Sequence, residues 1–518
     1  MSTGNIWKEA EKDIILHENR LNVIESCLDR HARLQPGKLA FAFELESGKI
    51  REYTYKELYE EANKFANYLN KLKAKEGSRV FIFLPKVPEL YISFLGTIKQ
   101  GSIAAPLFEA FQTEGLELRL KRGDADILVT NSELLKRLKH KIDGMGIINI
   151  DSAGYKSQIS KQPSEFESVL KDKNDASVMI FTSSTAGTPV AGIQIPHYGL
   201  VQQHITAKLV LDLNENDNYW CTAHPGWITG SIYGILAPLS IGCSTYILEA
   251  HFDSKRWIDF IRKNKISVIY TAPTALRMLK PSIRKSDLEG VRNICSVGEA
   301  LTSTLFNFYK KLGKEINDTY WQTETGAMVI ANTLGMKKKP GSMGRALPGI
   351  TARISNSGMI MLKKGFPAMM TGIYKHDAMY QSYFEDSWFK TNDLARIDSR
   401  GYFFFEARHD DIIKTSGERV SPIEIESILM KHRAIEEVAV IGVPDPIKGQ
   451  IIKAFIVLNE GFQPSRQLKE ELSMFVKTNY AGHSYPKLIE FMKELPKTNS
   501  GKIIRMKLKE LEEKRAGK

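Results

Sequence analysis

Cysteine is scarce in this 518-residue chain: Cys27, Cys221, Cys243 and Cys295 are the only four. Their wide spacing fits neither a zinc site nor a CxxC redox pair, so they read as reduced, mostly buried thiols. Long apolar runs are missing as well. No stretch of about 18 uncharged apolar residues occurs, which excludes a hydrophobic spanning helix. The opening MSTGNIWKEAEKDIILHENR has charges where a secretory peptide needs its apolar run, so the expected location is the cytoplasm, away from membranes. Nucleic-acid signatures are also absent: no zinc-finger or helix-turn-helix pattern, and no basic run interleaved with stacking aromatics. The formal charge of +12 is spread along the chain, densest at 310–314 (KKLGK) and 337–340 (KKKP). Such scattered charge reads as a solvated surface, equally compatible with phosphate-bearing substrates. Internal repeats and low-complexity tracts are lacking too.

What is present is an ordinary globular composition, 42% hydrophobic and 25% charged, on a chain long enough for several domains of about 100–200 residues each. Short apolar runs alternate with longer amphipathic ones: RVFIFLP (79–85), ADILVT (125–130), ASVMIF (176–181), KISVIYTAP (265–273) and VRNICSV (291–297). That alternation predicts layered α/β structure with largely parallel sheets. The polar segment 151–175 reads as a surface connection. Near residue 410 the pattern changes to a compact block: DIIKTSGERV, a helix entered through Ser421, Pro422 and Glu424 as N-cap, first-turn and N3 residues, the strands EVAVIGVPD and IIKAFIVL, and a helix from Ser465. The expectation is a large domain of several subdomains (1–409) and a small mobile α/β domain (410–518) ending in a glycine-containing loop and a basic helix.

The stretch FTSSTAGTPVAGIQIPH (181–197) follows an apolar run and offers hydroxyls and backbone N–H groups, as a phosphate cradle does. It has no lysine of the kind a P-loop places against terminal phosphates, so alone it is equally a Ser/Thr turn.

Four further stretches settle its context: SVGEALTS (296–303), NDTYWQTETGAM (317–328), KTNDLARIDSRGYFFFEARHDDIIKTSGERVSP (390–422) and PKTNSGK (496–502). In content and order they resemble the acyl-adenylate-forming superfamily, most closely its acetyl-CoA synthetases, from about Arg20 to the C-terminus. The resemblance makes 181–197 the phosphate loop by position, with Thr182, Ser183, Thr185 and Gly187 facing nucleotide phosphates. It implies acetate, ATP and CoA as substrates, Mg²⁺ as cofactor, and no nucleic-acid or membrane partner. Homo-oligomerisation and acetylation of Lys502 stay open.

Joining a carboxylate to an α-phosphate brings two anions together and builds charge, so the site needs cations. Glu324 offers the hard oxygen that Mg²⁺ prefers, and the resemblance makes it the metal ligand, with Thr323 on the α-phosphate. A carboxylate such as Asp393 can accept two hydroxyl hydrogen bonds, as a ribose diol requires; by resemblance it is the ribose aspartate, joined by Arg408, while Arg419 contacts phosphate. An isolated arginine would more often form a surface ion pair. Gly298, Glu299 and Ala300 match the segment along the adenine, and Asp318, Thr319, Tyr320, Trp321 and Gln322 complete the implied nucleotide surface.

By the same resemblance Lys502 is the adenylation lysine, Asp410 the hinge of the small domain, Gly417 the glycine that admits pantetheine, and Lys477 a contact for CoA phosphate. The turn at Met430, His432 and Ile435 lies where some relatives hold a cation. Trp321 stands where acetate-using members close the acyl pocket, with Trp227, Ile228, Thr229 and Val297 as further walls; the alternative is an ordinary core aromatic. Departures from the family pattern lie in the phosphate loop. There Ser184 replaces a glycine, Ala186 a hydroxyl residue, Val190 the lysine and Ala191 a glycine, with an extra residue before His197. Weakened ATP binding is therefore expected. The reading is an AMP-forming acetate–CoA ligase, against three rivals: a ligase for another short or medium acid such as propionate, a catalytically impaired adenylate-binding relative, and a module that loads a carrier protein.

Overall fold

The computed structural model describes residues 6–181, 191–408, 411–415, 418–445, 449–479, 485–497 and 503–516. Each apolar run named above becomes a strand: Arg79–Phe83, Ile127–Thr130, Ala176–Phe181, Val268–Thr271 and Asn293–Ser296. They are short and almost wholly buried, the pattern of strands covered on both faces by helices.

Among the described residues the larger part of the chain carries two big sheets. In the first, the parallel strands Ala176–Phe181, Ile103–Leu107, Arg79–Phe83, Ile127–Thr130 and Gly146–Asn149 lie side by side; Gly192–Pro196 joins in antiparallel register, and the short strand Gly372–Ile373 forms the edge beyond it. The second runs Asn317–Tyr320, Asn293–Ser296, Val268–Thr271, Asn218–Cys221, Ser244–Leu248 and Leu39–Glu44 in parallel, with antiparallel strands at both edges. Sheets of this kind bind ligands beyond the carboxyl ends of their strands. One core cluster takes in side chains from both, including Phe41, Val80, Val178, Tyr219 and Tyr270. At about 1.5–3 kcal/mol for each fully buried large apolar side chain, it fixes the two sheets against each other. All four cysteines are buried and free, as expected.

A third, antiparallel sheet pairs Trp388–Ile397 with Met359–Lys363 and Phe403–Arg408. The C-terminal sheet pairs Ile435–Asp445 with Gly449–Leu458, flanked by Ile413–Thr415 and Leu488–Phe491. Its core clusters draw only on residues from Ile413 onward. Ser421 caps the helix Pro422–Leu429 by accepting from the Glu424 amide at 3.3 Å, and its hydroxyl donates to the Glu406 carbonyl of the preceding sheet. The next helix, Arg466–Asn479, begins one residue after Ser465, whose hydroxyl accepts from the Leu468 amide. The polar segment 151–175 is not pure coil: Ser152 caps a short helix, Ala153–Ile159, without a buried face.

Candidate active site

Strand ends supply the site. Past Ser296 the chain turns at Gly298, whose φ of +91° suits glycine, and no atom lies within 4 Å of where its Cβ would stand. The backbone there is open to the close approach of a flat ligand. The next side chain, Glu299, is already engaged: its carboxylate accepts from the Thr274 amide at 2.7 Å, in the first turn of the helix Pro273–Leu279. Ala300 completes the turn.

The strand Asn317–Tyr320 and its continuation carry most of the remaining candidates. Asp318 is buried; burial pushes its carboxyl up to about 7 although the Ser296 hydroxyl donates to it at 2.6 Å. Thr319 is buried too, donating to the Ser296 carbonyl at 2.8 Å. The side chains of Asp318 and Thr319 therefore brace the strand end. Tyr320 donates to Asp393 at 2.8 Å and Gln322 to the same carboxylate oxygen at 2.6 Å. After Gln322, Thr323–Thr325 form a single tight turn, held by the Gln322 amide donating to Thr325 Oγ1 at 3.0 Å. It ends at Gly326 (φ +63°), where a Cβ would stand 1.9 Å from the Ala368 carbonyl oxygen. No other residue fits, and the turn fixes the direction of Thr323 and Glu324.

Asp393 reaches this turn from the third sheet. The residue before it, Asn392, adopts a left-handed φ of +58°, which asparagine tolerates best among non-glycine residues. The Asp393 amide donates to Thr391 Oγ1 at 3.1 Å. Across the ladder Asp393 faces Arg408, with 3.4 Å between Oδ1 and Nε. Burial works against the Arg408 charge, but the carboxylates of Asp393 and Glu324 hold its pKa above the usual arginine range. Burial likewise raises the Glu324 carboxyl, with Arg408 opposing and Asp393 adding to the rise. The Tyr383 hydroxyl donates to Glu324 at 3.3 Å, and its ring stacks on Phe389 at 5.7 Å. Tyr320, Gln322, Glu324, Asp393 and Arg408 thus form one polar cluster.

The chemistry of this cluster fits Mg²⁺. A half-buried carboxylate whose pKa is raised by burial is a hard oxygen donor that a cation would relieve, and Mg²⁺ is commonly held by one or two carboxylates together with substrate phosphates. Among the described residues no group of three or more His, Cys, Asp or Glu could hold a metal ion.

Of the apolar candidates, Trp321 directly follows Tyr320 of the cluster in the chain. Trp321, Val297 and Ile228 are buried members of one core cluster. The Trp321 indole meets the ring of Tyr233 edge-on at 5.0 Å and donates to the Tyr270 hydroxyl at 3.0 Å. Trp227 and Thr229 are half-buried in the loop and short helix that follow Cys221. Trp227 packs on Phe108 at 5.6 Å rather than on Trp321. Sequence reasoning missed Tyr233, Tyr270 and Tyr383; only KISVIYTAP hinted at one of them, as a buried strand.

Other candidates stand apart. Lys477 lies on the helix Arg466–Asn479, over the Tyr485 ring at 5.5 Å. The ring nitrogens of His432 are occupied by the Ala434 amide and by Glu471 at 3.0 Å. Thr182, Ser183, Thr185, Gly187, Asp410, Gly417, Lys502 and the side chain of Arg419 lie outside the described residues, as do Ser184, Ala186 and Val190 of the altered loop; Ala191 is fully buried.

Two family models match the chain: "AMP-binding enzyme" over residues 28–366 and "AMP-binding enzyme C-terminal domain" over 424–502. An acetyl-coenzyme A synthetase of Bacillus subtilis is 42% identical, covering 95% of this chain and 90% of its own length. One of Methanothrix thermoacetophila is 35% identical, with 95% and 83% covered. Among solved structures, an anthranilate CoA ligase in complex with anthranoyl-AMP superposes with a TM-score of 0.89 at 26% identity, covering 98% of this chain and all of that one. A Brucella canis acyl-CoA synthetase gives 0.74 at 29%, with 98% and 97% covered. The two family models and the nearly full-length relatives settle the family: the chain belongs to the AMP-binding enzyme family of acyl-adenylate-forming enzymes.

Proposed function

We propose that the protein is a cytoplasmic AMP-forming acetate–CoA ligase. Acetate attacks the α-phosphorus of ATP, giving acetyl-AMP and releasing pyrophosphate; the CoA thiol then attacks the acyl carbonyl, giving acetyl-CoA and releasing AMP. The observation that carries this reading is the junction at Trp321 and Gln322: a buried indole beside a turn that carries Glu324 and has Asp393 and Arg408 as neighbours. On one side lie buried aromatic rings, on the other a polar surface suited to a ribose and phosphates.

In this scheme the Asp393 carboxylate takes the ribose hydroxyls, while Tyr320 and Gln322 hold it in place through Oδ2. Arg408 and Arg419 supply positive charge near the nucleotide, and Thr323 donates to the α-phosphate. Glu324 would hold Mg²⁺, which neutralises phosphate charge when bound. Gly298 and Ala300 leave room along the adenine. Thr182, Ser183, Thr185 and Gly187 cradle the leaving phosphates. The boundary between large and small domains lies at residues 409 and 410. Asp410 is the hinge about which the small domain turns, carrying Lys502 to the acyl phosphate for the first step and Gly417 inward for the second, with Lys477 toward CoA phosphate. Support for this division comes from the separate C-terminal cores and from relatives that carry acetyl-coenzyme A synthetase names over nearly the whole chain.

Pyrophosphate exchange into ATP with a panel of short acids tests the reading. Acetate should support exchange at saturating ATP. Protein that binds ATP but exchanges with no acid would be a non-catalytic relative, and a higher kcat/KM for propionate would move the substrate assignment.

A further inference from the structure

Behind Trp321 lies a buried chain of hydrogen bonds with a single direction. An indole nitrogen can only donate, so the Tyr270 oxygen accepts from Trp321 Nε1 at 3.0 Å. The one proton of Tyr270 then goes to Thr319 Oγ1, 2.8 Å away, and the proton of Thr319 goes to the Ser296 carbonyl at 2.8 Å. Trp321, Tyr270, Thr319 and Ser296 are all buried. The second support, Tyr233, is fixed in the same manner: its hydroxyl accepts from the Met328 amide at 3.0 Å and lies 2.7 Å from Thr206, which donates to the Gln202 carbonyl. Tyr233 stands edge-on to both Trp321 and Tyr270, at 5.0 and 5.6 Å. Turning the indole would strand a buried donor, and a buried unpaired donor is costly.

We propose that Tyr270 is a positioning residue that sets acid-length specificity: its hydroxyl holds the Trp321 indole at the depth that admits a methyl group and little more. The proposal rests on the reading of Trp321 as the end wall of the acyl pocket. Tyr270 touches no substrate; it acts through the indole, and through Thr319 and Ser296 it ties that wall to the strand end preceding Gly298.

Tyr270→Phe keeps the ring and removes the hydroxyl. The acetate-to-propionate ratio of kcat/KM should fall roughly fivefold or more, a change of the size a single buried hydrogen bond produces. The loss should appear mainly as a higher KM for acetate, with the KM for ATP unchanged. A double-mutant cycle separates this from general loosening: in a Trp321→Gly background, Tyr270→Phe should leave the acid ratio as it is, because the indole it positions is gone. If Tyr270→Phe fails to fold, Thr319→Val, which removes the acceptor for the Tyr270 proton, should lower the same ratio. An active wild type whose ratio is unmoved by these variants, or an equal effect of Tyr270→Phe with and without Trp321, overturns the proposal and leaves the ligase reading intact. A wild type that shows no exchange with any acid overturns both.

Discussion

Trp321→Gly is the most direct perturbation of the acyl pocket. Trp321 is 8% exposed, and removing its indole opens space bounded by Tyr233 and Tyr270. Tyr270 keeps Thr319 as a partner for its proton, so the new cavity contains no orphaned donor. Large-to-small replacement of a buried aromatic costs about 3–5 kcal/mol. That is a large share of the 5–15 kcal/mol typical of a folded domain, so folding must be verified by circular dichroism and a melting curve. The gain is in specificity. Each methylene that enters the cavity contributes about 0.8 kcal/mol, so butyrate, two methylenes longer than acetate, should gain about 1.6 kcal/mol, or roughly fifteenfold in kcat/KM relative to acetate. Pyrophosphate exchange across acids of two to eight carbons should show the optimum moving to about four to six carbons, where the cavity is filled. A folded variant with the wild-type acid profile would refute the assignment of Trp321 to the pocket.

Lys502→Ala should abolish acetate-dependent exchange while supplied acetyl-AMP and CoA are still converted to acetyl-CoA; loss of both half-reactions would refute a role confined to adenylation. Val190→Lys should lower the KM for ATP roughly tenfold or more through one charge-assisted contact, and an unchanged KM in a folded variant would show that the loop takes another path. Stability should fall in acid. Burial depresses His31 to about 4, His197 to about 3 and His204 to about 4, below the unfolded value near 6.5, so their contribution is complete above about pH 6.5 and is lost as pH falls toward 4. At pH 5.5 each costs about 1.4 kcal/mol, some 4 kcal/mol together; Asp318, held near 7 by burial, offsets about 2 kcal/mol of this as it takes up its proton, and a melting temperature that is the same or higher at pH 5.5 than at pH 7.5 would refute the histidines being buried and neutral.

Element types were legible in the sequence wherever an apolar run was short and bounded by turn residues. ASVMIF and VRNICSV became strands within two residues of the predicted ends, and Ser421 caps its helix at the predicted place. Identity of the site came from motif order, because the TET turn and KTNDLA lie some seventy residues apart yet meet through Gln322 and Asp393. The supporting tyrosines were not legible. Tyr233 lies in a continuous apolar helix and Tyr270 in a buried strand, and nothing in a periodic pattern distinguishes a ring that fills space from one that orients a neighbour. The Glu299 cap on the helix Pro273–Leu279 was equally hidden, since it depends on two strand ends lying side by side. Ala191 illustrates the opposite case: it departs from the family pattern in the sequence, yet in the fold it is a fully buried residue just before the strand Gly192–Pro196, which is paired on both sides.

One strand explains why so much of the site comes from a single motif. Successive side chains of Asn317–Tyr320 point to opposite faces. Asp318 and Tyr320 share one face, and Tyr320 reaches Asp393; Thr319 and, just past the strand end, Trp321 share the other, and both reach Tyr270. The strand is therefore a partition, with the proposed ribose side on one face and the proposed acyl side on the other. A one-residue slip in its pairing with Asn293–Ser296 would exchange the faces, turning Tyr320 toward Tyr270 and Trp321 toward the carboxylate. Two contacts oppose that slip from the neighbouring strand: the Ser296 hydroxyl donates to Asp318 and the Ser296 carbonyl accepts from Thr319. Ser296 holds both faces of the partition at once. Its replacement by alanine would leave the Asp318 carboxylate buried without that donor, so the raised pKa of Asp318 should rise further and the strand end should loosen on the nucleotide face first.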